Sequence, residues 1–165
     1  MAAAYREGLG LTAIIAIQDA GGGVRIMAAA AGDAATIAAD EHNGVRLWCR
    51  REAEAASIAA AAMKNLRRRP DGDAGEAIHA ASKKLGIAIQ TDDEIVGEAM
   101  TVAARIAEEL RRQQQSGDLK SVNQAYRSYR LEAGARGERA LRYDAWMQRY
   151  REDLVRQVAA TLRQI

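Results

Sequence analysis

The strongest constraint on this chain is the size of its apolar residues. Alanine supplies 37 of the 165 residues, and there is no phenylalanine. Setting alanine aside leaves roughly a quarter of the chain as larger apolar side chains. Such a core gains less from burial, at about 25 cal/mol per Å² of apolar surface removed from water. Folding must then draw on helix propensity, on close alanine-to-alanine packing, or on a partner chain. A biased base composition in the coding DNA would produce the same richness with no structural purpose. The length is that of one domain, or of one small domain with a helical extension.

Local patterning divides the chain near residue 70. The stretch "LTAIIAIQDAGGGVRIMAAAA" holds two β-compatible apolar runs, residues 11–17 and 24–29, around a glycine-rich hairpin connection at residues 19–23. Asp33 is placed to cap a helix that stops at Asn43 and Gly44. "VRLWCRRE" alternates as a strand, with Val45, Leu47 and Cys49 on one face. "AEAASIAAAAMKNLRRRP" is a strong helix former that ends in basic residues before Pro70. The expected fold is therefore α+β. A small N-terminal sheet of about three strands with two helices occupies residues 1–69, residues 70–75 form a linker, and residues 76–165 form a helical domain.

Within the helical part, Thr91 and Glu94 make a capping box. Ile95, Ala99, Val102, Ile106 and Leu110 follow it at helical spacing. Ser121 and Gln124 repeat the capping pattern. A last helix over residues 143–165 carries Met147, Tyr150, Leu154, Val158, Leu162 and Ile165 in one stripe. "AIHAASKKLGIAIQTDDEIVGEAM" has the outline of a helix-turn-helix DNA reader. Its second helix, however, opens on Asp92, Asp93 and Glu94. Three carboxylates would be repelled by phosphates and base edges, so these two helices are read as a packed pair.

The order strand–strand–helix–strand–helix over residues 11–69 resembles the GIY-YIG nuclease domain, with the resemblance running over residues 9–69. "VRIM" at residues 24–27 stands where that family's second strand carries its Tyr-Ile-Gly-like motif. "GDAATIAADEHNG" looks like the helix that follows, and "REAEAASIAAAAMKNLRR" like the later helix bearing the metal-binding glutamate. The chemistry does not carry over with the order. The Gly-Ile-Tyr strand reads "TAIIAI", Ala34, Ala35 and Thr36 occupy the helix that should offer an arginine, and Ser57 stands where the glutamate would, with Glu54 one turn earlier. Metal-assisted phosphodiester cleavage needs a carboxylate for the ion and a cation and phenol near the phosphate. The resemblance thus implies a catalytically degenerate member. The alternative is an unrelated small α+β domain.

Net charge is +2, but its distribution is uneven: the part beyond residue 118 is basic. "NQAYRSYRLEAGARGERALRYDAWMQRYR" holds four of the five tyrosines among its arginines. Arg–aromatic combinations suit phosphate backbones and unpaired bases, and they suit protein interfaces equally well. The candidate nucleic-acid-binding residues are Tyr126, Arg127, Tyr129, Arg130, Arg139 and Arg142, with Arg67, Arg68 and Arg69 as a second basic cluster. The candidate interface between copies is Trp146, Tyr150, Leu154 and Val158.

Other chemistries are not expected. His42 and His79 stand alone and form no helical metal motif, and Cys49 in an alternating strand reads as a buried apolar residue. "DAGGGVRI" lacks the Gly-Lys-Ser/Thr ending of a P-loop. No catalytic set, metal or cofactor is assigned. One cysteine fits a reducing compartment. The opening residues lack a basic stretch followed by roughly 7–15 apolar residues, so a cytoplasmic protein with no membrane contact is expected. Three functions follow in order: a non-enzymatic protein that binds DNA or RNA, a structural or interaction module forming homodimers through its C-terminal helices, and a metal-dependent nuclease.

Overall fold

The computed structural model describes residues 1–18, 21–37, 44–115 and 120–164. The hairpin connection expected from Asp19 and the helix end expected at Asn43 lie, in whole or part, outside them, as does His42. The order of elements is α1 (Ala2–Leu9), β1 (Thr12–Gln18), β2 (Val24–Ala30), α2 (Ala31–Ile37), β3 (Arg46–Cys49), α3 (Glu52–Arg68), α4 (Ala74–Leu85), β4 (Gln90–Thr91), α5 (Asp92–Gln115), α6 (Lys120–Ala135) and α7 (Tyr143–Arg163). The fold is α+β, with four strands where about three were expected. The additional strand, β4, has only two residues.

The sheet runs β2-β1-β3-β4, and every neighbouring pair is antiparallel. β1 is its centre. Thr12 lies opposite Ala30 on one side and Cys49 on the other. Because successive strand residues face opposite ways, β1 feeds two cores. Ile14 and Ala16 join Ile26, Leu47 and Cys49 beneath α3 and α4. Leu11, Ala13 and Ile15 join Ala29 and Trp48 beneath α1, α5 and α7. Ile14 and Ile15 are both fully buried. A strand covered on both faces reads as a near-continuous apolar run, and "LTAIIAI" is one.

Alanine has a structural use here. Ala55, Ala59 and Ala62 on α3 share a core with Ala77 and Ala81 on α4. Small side chains let these helices approach closely while Ile58 and Ile78 fill the remaining space. On the other face, α1 crosses α7 at Gly8. A Cβ on Gly8 would collide with the Arg156 carbonyl oxygen and lie 2.8 Å from the Ala159 Cβ.

The junction at residues 70–75 is crossed by packing on both faces of the sheet. α4 packs on α3, β4 pairs with β3, and α7 packs on α1. Asp73, in the expected linker, is the N-cap of α4 and accepts a hydrogen bond from the Glu76 N–H at 2.9 Å. The Thr91–Glu94 capping box forms as the sequence indicates: Thr91 Oγ1 accepts from the Glu94 N–H at 3.3 Å, and a Glu94 carboxylate oxygen accepts from the Thr91 N–H at 2.7 Å. The expected pairing of α4 with α5 is corrected. The chain crosses the sheet edge through β4, so α4 belongs to one core and α5 to the other. Asp92 at the start of α5 accepts hydrogen bonds from Arg6 Nη2 at 2.7 Å and Trp48 Nε1 at 2.8 Å. This polar clasp ties α1, β3 and α5 together.

The α1–α7 crossing yields a signed prediction. An unobstructed Gly→Ala change within a helix gains up to about 1 kcal/mol. Gly97 in α5 has nothing within 4 Å of a new Cβ, so Gly97→Ala should raise the unfolding midpoint. Gly8→Ala should lower it, because overpacking costs about 1–3 kcal/mol. Thermal unfolding followed by circular dichroism checks both signs, and a rise for Gly8→Ala would refute the tight crossing.

Candidate nucleic-acid interface

The aromatic residues singled out in the sequence converge. Val122, Tyr126, Tyr129 and Ala133 recur along one side of α6 at helical spacing, with Val122 and Ala133 buried. Tyr126 meets Trp146 of α7 at 5.0 Å between ring centroids, and meets Tyr143 edge-on at 5.1 Å. Trp146 stacks on Tyr150 at 4.9 Å. Such ring pairs contribute about 0.5–1.5 kcal/mol each beyond the area they bury. The Tyr126 hydroxyl donates to the Leu141 carbonyl, and the Leu141 N–H donates to the Tyr129 hydroxyl, both at 2.9 Å. The two tyrosines therefore clamp the connection between α6 and α7, and their rings pack on other rings.

The arginines behave differently. Arg127 and Arg130 on α6, and Arg139 and Arg142 in the connection, are exposed, and none has a carboxylate within ion-pair distance among the described residues. Six other arginines, Arg6 and Arg51 among them, make ion pairs among the described residues. Arg111 and Arg112 hold Glu108, Arg136 holds Glu138, and Arg156 spans Glu7 at 3.1 Å and Asp153 at 2.6 Å. The aromatic clamp thus carries four guanidinium groups with no internal partner. Arg67, Arg68 and Arg69 are exposed at the C-terminal end of α3. Since α3 and α7 cover opposite faces of the sheet, this cluster lies on the other side of the molecule's central layer from the helix that anchors the clamp.

The candidate interface residues also separate. Trp146 is buried at 6% exposure inside the aromatic cluster, Tyr150 stacks on it, and Leu154 is half-buried. Val158 is exposed, as is Leu162 one turn further on. The expected stripe is rotated: α7 buries Trp146, Val155 and Ala159 instead.

At the positions where the GIY-YIG resemblance looks for chemistry, Ala34 is buried, and the exposed Ser57 donates its hydroxyl to the Ala53 carbonyl at 2.8 Å. Glu54 lies 3.5 Å from Arg51. Among the described residues no three His, Cys, Asp or Glu side chains cluster to hold a metal, and no helix is long and apolar enough to cross a membrane. A cleft of about 870 Å³ at one end of the sheet, between the C-terminal end of α7 and the start of α3, contains none of the expected site residues. Its walls come from residues far apart in sequence, so no local spacing announces it. Comparison with protein-family models, with curated proteins and with solved structures gives no match.

Cys49 is buried in the α3–α4 core, and burial, assisted by the nearby Glu54 carboxylate, pushes its thiol up to about 11. Only the thiolate reacts, so at pH 8 roughly one molecule in a thousand would carry it. A thiol-specific chromogenic reagent should leave native Cys49 unmodified for hours and label it at once in denaturant. Rapid native labelling would contradict this placement.

Proposed function

We propose that the chain is a non-enzymatic nucleic-acid-binding protein that meets the phosphate backbone through Arg127, Arg130, Arg139 and Arg142. The observation that carries this reading is the grouping of four exposed guanidinium groups on α6 and the α6–α7 connection, none with a carboxylate within ion-pair distance among the described residues. Guanidinium is the side chain best shaped to hydrogen-bond phosphate in a bidentate manner. Tyr126 and Tyr129 serve as positioning residues here, fixing the segment that bears Arg139 and Arg142. The resemblance of residues 9–69 to the GIY-YIG domain fits this as a frame retained for shape, with the cutting residues replaced by alanine, threonine and serine.

A second reading rests on α7. Val158 and Leu162 are spaced one turn apart and both stand exposed at about two-fifths of their surface, as an interface between two copies would require. Tyr150 is a poor probe of this, because its substitution also opens the aromatic cluster.

Fluorescence anisotropy with short single- and double-stranded DNA and RNA separates the readings. The nucleic-acid reading expects salt-sensitive binding, weakened about tenfold or more by the Arg127→Glu, Arg130→Glu double variant with the unfolding midpoint unchanged. Absence of binding at low salt overturns it. Sedimentation of wild type and of Val158→Asp, Leu162→Asp then shows whether the copies associate. Magnesium-dependent cleavage that disappears in Glu54→Gln would instead establish a nuclease.

A further inference from the structure

The cleft at the end of the sheet has a chemistry of its own. β1 begins at it, β2 and β3 end at it, and α3 starts there. Three arginines line it. Arg50 and Arg51 come from the β3–α3 junction, and Arg163 is the last helical residue of α7. Arg50 and Arg163 have no carboxylate within ion-pair distance among the described residues. Glu7, a carboxylate on the cleft wall, is already held by Arg156 at 3.1 Å. Arg51 makes only an exposed contact at 3.5 Å with Glu54, of a kind that contributes little in water.

Arg163 lies against the glycine that ends α1. Gly10 ends α1 with φ of 62°, in the left-handed region, and a Cβ there would lie 2.5 Å from the Arg163 Nη1. Glycine thus satisfies the turn and also makes room for the guanidinium. A second observation is independent of the arginines. Thr12 and Ser82 are the two buried polar residues among those described. Ser82 donates its hydroxyl to the Ile87 carbonyl at 2.6 Å. The Thr12 side chain, on the cleft wall, makes no hydrogen bond with any described residue, and its hydroxyl oxygen is not sealed from solvent. A strand hydroxyl open to solvent on the wall of a charged cleft can donate to a ligand oxygen in place of water. α3 adds a third contribution. Its N-cap is Arg51, which supplies no side-chain acceptor, so the first-turn N–H groups and the positive end of the helix remain available to an anion.

Small residues, Gly32, Ala53 and Ala56 among them, form much of the remaining wall. Leu11 is the one large aliphatic residue on the wall and is itself buried, and no aromatic residue lines the cleft, so it offers little of the surface that holds apolar ligands. We propose that it binds a phosphate group, either orthophosphate or a phosphomonoester, through Arg50, Arg51 and Arg163, the Thr12 hydroxyl and the first turn of α3. Glu52, exposed on the same wall, faces that anion and weakens its binding. This site is separate from the α6 arginines and stands whether or not they bind nucleic acid.

Isothermal titration of the intact protein with sodium phosphate, ribose 5-phosphate and adenosine 5′-monophosphate tests it. All three should bind, and equal affinity would identify free phosphate as sufficient, whereas tighter binding of the two esters would identify a phosphomonoester. Arg50→Ala and Arg163→Ala should each weaken binding by about tenfold or more, since hydrogen bonds to charged groups contribute roughly 1.5–3 kcal/mol. Both side chains are exposed, so the unfolding midpoint should hold. Glu52→Gln should tighten binding, and Arg127→Glu should leave it unchanged. No heat from any of the three with the folded protein, binding of the nucleotide alone, or full affinity in both arginine variants would overturn the proposal.

Discussion

β1 must be covered on both faces, and much of the molecule follows from that demand. Ile14 and Ile15 point in opposite directions and are equally buried, so one helical layer cannot shield the strand. The nearby chain supplies α3 and α4 for one face. The other face is completed by α1 with α5 and α7, which brings the two ends of the sequence together. Close approach makes this possible: Gly8 and Ala159 let α1 and α7 meet backbone to side chain, and the Asp92 clasp holds α5 beside them. The same closure carries Arg163 to Gly10, across the cleft from Arg50 and Arg51.

Features whose physical cause is local were legible in the sequence. The capping box at Thr91 and Glu94, the two strands of the hairpin, the alternation of Leu47 with Cys49 and the basic end of α3 each depend on neighbours a few residues away. Features fixed by long-range packing were not. α1 lies in "AAAYREGL", whose Ala4, Tyr5, Gly8 and Leu9 are spaced as a buried helix face and are followed by Gly10, but so short a helix forms only through its partners. β4 has two residues and no periodicity to read. The buried face of α7 rests on small residues that hydrophobic size alone does not single out: Val155 and Ala159 join the core with α1, and Val158 and Leu162 stand outside. The cleft had no sequence signature, since its arginines lie at residues 50, 51 and 163.

Alanine thus has two meanings along one chain. On α3 and α4 it is an interface residue whose small size sets how closely helices pack. Beside the cleft it leaves open space with three arginines on its wall. The aromatic residues were expected to offer faces to bases, and they form instead a clamp between α6 and α7, with their hydroxyls closed onto Leu141. The proposed binding role therefore rests on the exposed arginines beside the clamp, not on the rings.

The most direct measurement of the central claim is the salt dependence of single-stranded nucleic-acid binding. Each phosphate neutralised contributes about −0.7 to the slope of log affinity against log salt concentration on a single strand. Replacing Arg127 and Arg130 with glutamine should therefore flatten the slope by about 1.4, with the unfolding midpoint unchanged. An unchanged slope in that variant, with binding retained, would show that these arginines do not touch the phosphates.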